Sequence, residues 1–174
     1  MAVRTPEGTT TIVRLLERVV SRRTLWLRVS LPVLPNGTTG WVERSDVGGY
    51  QRTTTRLVID RAALTASLYR GRTRVQTARI GIGRRQWPTP AGTFFVRNEL
   101  TKFASPAYGP IAFGLSARSA VLTDWPAGGF VGIHGTNKPG ILPGRVSHGC
   151  IRVRNEDILR MARLLEPGDL VVVR

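Results

Sequence analysis

Short strand patterns separated by turn residues recur through most of this chain, and they limit it to a fold built mainly from β-strands. Each pattern is rich in β-branched or aromatic residues and is bounded by residues that favour turns. The 19 glycines and 11 prolines are spread along the chain and supply those turns. The patterns lie at 56–60, 64–69, 74–82, 93–96, 111–115, 120–122 and 130–133. Their spacing predicts an all-β sandwich or a barrel-like fold.

A single helix is predicted, near the end of the sequence. Asn155 is a suitable N-cap, and Glu156 and Asp157 favour the positive end of the helix dipole. Apolar residues then recur at helical spacing, at Ile158, Met161, Ala162 and Leu165. The Pro-Gly pair at 167–168 ends the helix, and a closing strand is predicted over 170–173.

The first fifty residues, 1–50, are predicted to form a small β module of their own. Residues 25–29 alternate between apolar and polar, 32–40 are rich in turn residues, and another strand begins at Gly40. Within this module Trp26 and Trp41 are predicted to be core anchors.

The stretch 25–47 resembles a bacterial SH3-like domain but lacks the earlier strands of such a domain. Two interpretations are open: the module is incomplete, or it packs on the residues that follow it. The polar segment 48–55 contains a pair of glycines and is the predicted boundary between domains. A second domain is accordingly predicted over 51–174.

The net charge of +15 predicts an attraction to polyanions such as nucleic acid, an anionic membrane face or an acidic cell-wall polymer. Arginine supplies most of the charge and is scattered, which favours a generally basic surface over a shaped nucleic-acid site. No apolar run reaches the length of about 18 residues that a spanning helix needs. No signal-peptide pattern is visible either, because charged residues interrupt the apolar stretch at 12–20.

The only cysteine, Cys150, lies close in sequence to both histidines, His134 and His148. A lone cysteine is either a small buried hydrophobe or a reactive thiol, and composition alone favours the first. The neighbouring segments HGTN and SHGCIR reverse that preference, because together they supply the parts of a thiol acyl-transfer site. A cysteine attacks a carbonyl as thiolate, and a nearby imidazole can take its proton. Cys150 is therefore the predicted nucleophile.

His134 is the predicted base. It ends the apolar run 130–133, which predicts that it is presented at a strand end, and Gly135 leaves room for the chain to turn. No acidic residue lies in this stretch, so a backbone carbonyl near Gly135 is the candidate partner for the other ring nitrogen. His148 is less favoured, because it must bend back to reach a thiol two residues away along an extended chain.

Backbone N–H groups around the cysteine are the candidates for stabilising an oxyanion. They belong to His148, Gly149 and Cys150, and Gly149 allows a substrate to approach the main chain closely. Ser147 and His148 are predicted to shape this turn through side-chain hydrogen bonds. If residues 150–152 are extended, Arg152 shares a face with the cysteine, and its guanidinium suits a substrate carboxylate.

The segment 134–152 resembles the motif of the L,D-transpeptidase (YkuD-type) catalytic domain, in which HGT is followed by SHGCIR. Three further stretches resemble segments of the same family: PTPAGTF at 88–94, YGP at 108–110, and PGDLVVV at 167–173. The resemblance covers roughly residues 56–174. It implies a mainly β fold, the YkuD-like β-sandwich with one C-terminal helix, here preceded by the small N-terminal β module.

The resemblance also implies a cysteine-dependent acyltransferase of peptidoglycan synthesis and cell-wall biogenesis, which affects cell shape. Cys150 would attack a stem tetrapeptide at its third residue, release D-alanine and form a thioester. An amine of a second stem would complete a cross-link, or water would release a tripeptide, as an L,D-carboxypeptidase does. His134 would carry the proton, Arg152 would contact the substrate, and Ser147, His148 and Gly149 would frame the oxyanion site.

The resemblance further implies that no metal or organic cofactor is needed. The expected partners are peptidoglycan stem peptides, together with anionic wall polymers attracted by the positive charge, and not nucleic acid. Family members work outside the cytoplasmic membrane, so an extracytoplasmic location is expected even though no export signal is visible.

Two alternatives from other classes remain. His134, His148 and Cys150 could bind a catalytic zinc ion with water as the fourth ligand, although the usual Cys-pair and HExxH spacings are absent. A non-enzymatic module could instead bind wall polymers or nucleic acid through its charge.

Overall fold

The chain folds mainly into β-strands in the computed structural model, which describes residues 3–102, 105–123 and 129–174. These ranges hold twelve strands and one α-helix. The N-terminal strands are β1 (Arg14–Ser21), β2 (Thr24–Ser30) and β3 (Thr39–Glu43). The others are β4 (Thr55–Asp60), β5 (Thr65–Arg70), β6 (Thr73–Gly83), β7 (Gly92–Leu100), β8 (Ala112–Arg118), β9 (Phe130–His134), β10 (Gly144–Ser147), β11 (Ile151–Val153) and β12 (Leu170–Val173), with helix α1 (Asn155–Met161) before β12.

The first three strands form an antiparallel sheet in the order β1-β2-β3. Strand β1 was not predicted from the sequence. The alternation in β2 turns Leu27 and Val29 to the covered face, where both are almost completely buried. Trp41 lies on the opposite face, across from Arg28, and is 47% exposed. Its prediction as a core anchor was therefore wrong, and Trp26 is only half-buried.

The remaining nine strands form a sandwich whose two layers share strands. Their order is β10-β6-β11-β9-β8-β7-β12-β4-β5, and β5 also pairs with β6. The long strand β6 pairs with β5 through its first part and with β11 and β10 through its last residues. Strand β7 passes in the same way from β12 to β8. This architecture confirms the predicted β-sandwich with one helix near the C-terminus.

The core lies between the two layers and also takes up the inner face of α1. Among its fully buried side chains are Leu57, Ile59, Leu68, Ile80, Ile82, Phe113, Leu115, Ile133, Ile151 and Ile158. Each side chain of this size contributes about 1.5–3 kcal/mol when it leaves water. The core thereby holds the ends of β9, β10 and β11, where the candidate site residues lie.

Two sequence predictions differ from the structure in this part of the chain. Asn155 is the first residue of α1 rather than its N-cap, and its side-chain oxygen accepts a hydrogen bond from the Thr136 N–H at 2.8 Å. The strand predicted at 120–122 is absent from the described residues. Instead the N–H groups of Val121 and Leu122 donate to the hydroxyl of Ser119, which bends the chain there.

Residues 48–54 contain neither helix nor strand. The division of the chain into 1–50 and 51–174, and the SH3-like nature of the first part, remain predictions. Within the described ranges, no helix combines the length and the hydropathy needed to cross a membrane.

Candidate active site

The candidate nucleophile lies in a tight turn between β10 and β11. The Ser147 hydroxyl donates to the carbonyl of Cys150 at 2.6 Å and accepts from the N–H of Gly149 at 3.1 Å. Gly149 has φ +119°, a region that side chains with a Cβ rarely adopt, so glycine is needed there. The buried Ser147 side chain thus stabilises the turn by two hydrogen bonds, and the Gly149 N–H is already paired.

Thr89, which the sequence analysis did not single out, fastens this turn to β6. Its hydroxyl donates to the Gly149 carbonyl at 2.7 Å and accepts from the Gly83 N–H at 2.9 Å. The side chain is buried, so both bonds are shielded from water. Thr89 belongs to the PTPAGTF stretch that carried part of the family resemblance, and that stretch was the available signal for it.

The thiol of Cys150 points toward β9, where the N–H of Gly132 lies 3.4 Å from the sulfur. The residue is half-buried and is not in a disulfide. Burial raises the pKa of the thiol, and this effect outweighs the opposing influence of the Gly132 N–H and the Arg152 charge. At neutral pH the resting sulfur is therefore a protonated thiol.

His134 is the last residue of β9 and lies between β8 and β11, opposite Ala112 and Arg152. Its Nδ1 lies 2.6 Å from the Gly135 carbonyl oxygen, which can only accept, so Nδ1 carries the proton. Burial, together with the nearby Arg152 charge, lowers the pKa of His134 to about 4, although the Gly135 carbonyl opposes the shift. The ring is thus neutral at pH 7 and has Nε2 available as a base.

Two glycines allow the chain to pack closely behind His134. A Cβ on Gly135 would collide with the side-chain oxygen of Asn155, and one on Gly109 would lie 2.7 Å from the Cα of Gly135. The ring of Tyr108 then packs at a tilt against the imidazole, with 4.9 Å between ring centroids. Gly135 is needed for this close approach.

Arg152 lies beside His134 in the register of β9 and β11, so both side chains project from the same face. Its Nε is buried and has no hydrogen-bond partner within the described structure. A buried guanidinium N–H without a partner is costly, and a substrate carboxylate would supply one.

One cavity of about 280 Å³ brings most of the sequence-predicted residues together. His134, Ser147, His148, Cys150 and Arg152 all line it, together with Tyr108, Phe130 and Val131. His148 is exposed at the rim, and its ring stacks on Trp87 with 4.1 Å between centroids. Gly149 and Gly135 are buried next to these lining residues. The structure contains no direct hydrogen bond between the His134 ring and the Cys150 sulfur.

The zinc alternative requires three ligands that converge on one point. In the part of the chain that the structure describes, no three His, Cys, Asp or Glu side chains are grouped in that way. His148 instead lies against Trp87.

Comparisons with known proteins agree with this fold. The model of the family described as YkuD, L,D-transpeptidase catalytic domain, matches residues 54–173. The putative L,D-transpeptidase YkuD of Bacillus licheniformis is 30% identical over 118 residues, covering 68% of this chain and 64% of that protein. The Bacillus subtilis protein of the same name is 30% identical over 99 residues, covering 57% and 53% respectively. The chain therefore spans less than two thirds of the length of either relative.

Solved structures give the same fold. An L,D-transpeptidase from Mycobacterium smegmatis has a TM-score of 0.56 and 17% sequence identity, over 94% of this chain and 100% of that one. At this identity the likeness concerns the fold alone. Because the family model covers well over half of the sequence, the chain belongs to the YkuD family of L,D-transpeptidase catalytic domains.

Proposed function

We propose that this chain is a peptidoglycan L,D-transpeptidase that uses Cys150 as nucleophile and His134 as proton carrier. One observation carries the proposal: in a fold of this family, the thiol, a neutral imidazole and an arginine with an unpartnered N–H open into the same cavity. These are a nucleophile, a base and an anchor for an anionic substrate, which together suit acyl transfer.

The first half-reaction forms a thioester. The thiol proton passes to Nε2 of His134 as the sulfur attacks the carbonyl carbon of the third stem residue. The resulting tetrahedral intermediate collapses, the C–N bond to the terminal D-alanine breaks, and the imidazolium returns its proton to the leaving amine. D-Alanine leaves, and the tripeptide remains bonded to sulfur.

The second half-reaction releases the enzyme. The amine of a neighbouring stem attacks the thioester, His134 accepts a proton from it, and the thiol re-forms as the cross-link is completed. If water attacks instead, the product is a free tripeptide, and the enzyme acts as an L,D-carboxypeptidase on the same site.

The shifted pKa values of the Cys150 thiol and of His134 indicate when the thiol proton is transferred. A raised pKa for the thiol and a lowered one for His134 favour a neutral pair over a resting thiolate–imidazolium pair. Proton transfer then accompanies attack on a bound substrate. A short movement must bring Nε2 and sulfur into hydrogen-bond contact, as is common when a substrate completes a site.

The oxyanion of the intermediate needs N–H donors. Hydrogen bonds within the turn at 147–150 decide which N–H groups remain available. Ser147 already accepts the Gly149 N–H, so Gly149 contributes by its conformation rather than as a donor. We propose the N–H of Cys150 itself as a donor to the oxyanion. Ser147 and Thr89 position that N–H by holding the turn from both sides.

We further propose that Arg152 binds a carboxylate of the stem peptide. Its place beside His134 puts the charge near the reacting carbonyl, and its buried Nε lacks a partner without substrate. Stem peptides are found outside the cytoplasmic membrane, so we propose an extracytoplasmic site of action. The excess of basic residues would favour contact with anionic wall polymers there.

The decisive test is incubation with a disaccharide-tetrapeptide, monitoring D-alanine release and dimer formation by mass spectrometry. Dimers support transpeptidation, and a tripeptide without dimers supports the carboxypeptidase. Cys150→Ser should release no D-alanine, and a carbapenem should modify the wild type at Cys150 but leave this variant unmodified. An unmodified wild-type thiol and an intact tetrapeptide would refute the proposal.

A matched pair of variants tests the anchor. Arg152→Ala should raise KM for the tetrapeptide, whereas Arg154→Ala, two residues along and outside the cavity lining, should leave it near the wild-type value. Equal effects of the two substitutions would show that Arg152 acts only through general charge.

A further inference from the structure

Two contacts from the N-terminal region reach β7 and the end of β8, beside the active-site cavity. The first is made by Glu7, in a short loop that the Arg4–Thr10 bridge closes. Its carboxylate accepts two hydrogen bonds from the Arg97 guanidinium of β7, at 2.9 and 2.6 Å. It accepts a third from the Asn98 side chain at 3.1 Å. Ninety residues of chain separate the glutamate from the arginine.

This pair is shielded from water. Arg97 is only 3% exposed and Glu7 20%. Burial works to raise the pKa of Glu7, but the hydrogen bonds and charge of Arg97 prevail and lower it, so the carboxylate is ionised at neutral pH. Gly114 on β8 makes room for the cluster, because a Cβ there would collide with the Asn98 side chain. Three N–H groups of Arg97 and Asn98 thus converge on one carboxylate.

The second contact is made by Asn36, in the turn between β2 and β3. Its side-chain amide donates to the Arg118 carbonyl at 2.7 Å and accepts from the Arg118 N–H at 2.9 Å. Both main-chain groups at the end of β8 are therefore paired with one side chain. Asn36 thus makes the two backbone hydrogen bonds of Arg118 that a neighbouring strand would otherwise make.

Both contacts converge on Phe130. The Arg97 guanidinium lies 3.9 Å from the centre of the Phe130 ring, and that of Arg118 lies 5.0 Å from it. Phe130 lines the cavity and begins β9, the strand that also carries the Gly132 N–H and ends at His134. The ring thus packs against two cations. Glu7 contacts the Arg97 guanidinium directly, whereas Asn36 contacts the main chain of Arg118.

We propose that Glu7 and Asn36 are positioning residues which, through two arginines, fix Phe130 and so set the width of the active-site cavity. The consequence for catalysis rests on the function proposed above, but the geometry can be tested without it. When either contact is lost, Phe130 moves away from its present place and the cavity around the thiol widens.

The single cysteine provides the probe. The rate of Cys150 alkylation is measured with iodoacetamide, which is small, and with a bulky N-aryl maleimide. Both reagents attack the same thiolate, so the ratio of the two rates cancels the thiolate fraction and reports access alone. Glu7→Gln should raise the maleimide-to-iodoacetamide ratio about threefold or more, which is near the low end of the interaction energies measured between residues in contact. The control Glu17→Gln breaks the exposed pair with Arg28 in the same N-terminal region and should leave the ratio unchanged.

Asn36→Ala provides an independent second measurement, and it decides the matter if Glu7→Gln does not fold. A raised ratio in this variant supports the proposal, and an unchanged or lower ratio in both variants overturns it. Glu7→Asp, which keeps the charge, should restore part of the wild-type ratio. If the wild type is active on tetrapeptide, Glu7→Gln should raise KM more than it lowers kcat. An inactive wild type would refute the proposed function but would leave the alkylation result interpretable.

Discussion

The N-terminal sheet and the sandwich differ in how much core each of them has. Among the described residues, the fully buried apolar side chains lie almost entirely in the sandwich, and only Leu27 and Val29 belong to the N-terminal sheet. The sandwich also carries every residue of the candidate site. The N-terminal sheet has too small a core to be stable alone and depends on contacts such as those of Glu7 and Asn36. One region therefore carries the candidate site, while the other is attached to it and, as we propose, affects the shape of its cavity.

The largest expected effect is on activity and arises wholly within the sandwich. His134→Ala should lower kcat/KM for the tetrapeptide about 10²–10⁴-fold, the usual contribution of a general base. His148→Ala should cause a much smaller loss, because that ring lies at the rim against Trp87. Steady-state kinetics of the two variants would check this, and losses of equal size would mean that the base has been wrongly assigned.

A pair of core truncations compares the two regions in stability. Leu68→Ala should lower the free energy of unfolding by about 4 kcal/mol, because the side chain is enclosed between two layers and its cavity cannot collapse. Leu27→Ala should cost about 2 kcal/mol, because its half-exposed neighbours can relax into the space. Urea unfolding measures both. Equal losses in the free energy of unfolding for Leu27→Ala and Leu68→Ala would contradict the conclusion that the sandwich has the more extensive core.

The two glutamate–arginine pairs of the N-terminal region should differ in a similar way. Glu7→Gln should cost about 3 kcal/mol, because it leaves the buried Arg97 charge without its partner. Glu17→Gln should cost less than about 1 kcal/mol, because its pair with Arg28 is exposed to solvent. Thermal or urea unfolding would measure both costs. At high salt the cost of Glu7→Gln should persist, because the pair is buried, whereas the cost of Glu17→Gln should vanish.

The last prediction is a loss of stability in mild acid. His134 has a folded pKa of about 4 against an ordinary value near 6.5, so between these values the unfolded chain binds a proton that the folded protein does not. Stability should therefore fall as pH drops from about 6.5 to about 4, by at most about 3 kcal/mol. Urea midpoints at several pH values would show this, and His134→Ala should make the profile flatter. An unchanged profile in that variant would assign the acid sensitivity to other groups.

Much of the sandwich could be predicted, because its signals are local. Alternation and turn residues indicated most of the strands from β4 onward, and Cys150 and His134 lie in short motifs where each neighbour has a recognisable chemical role. Such patterns are visible over a few residues. The family resemblance then supplied the expected architecture.

The features that were not predicted from the sequence depend mostly on contacts between residues far apart in the chain. Thr89 bonds to Gly149 across sixty residues, and Glu7 meets Arg97 across ninety. Asn155 suits a helix cap by its type, yet the approach of Thr136 takes its side chain into another hydrogen bond. Strand β1 was not predicted because its apolar residues come in pairs (LLERVV) and do not alternate with polar ones, and its pairing with β2 is irregular between Leu15 and Glu17. In each case tertiary structure overrides a weak local preference.

The last strand, β12, lies in the middle of the sandwich, between β4 and β7 rather than at an edge. A ribosome or a translocation channel delivers the chain from its N-terminus, so β4 and β7 emerge long before the strand that joins them. Until residue 173 is free, both present unpaired edges, and the sheet cannot be completed. Folding of the catalytic part must therefore follow delivery of the whole segment, and during that interval the chain is open to aggregation or to a holding chaperone.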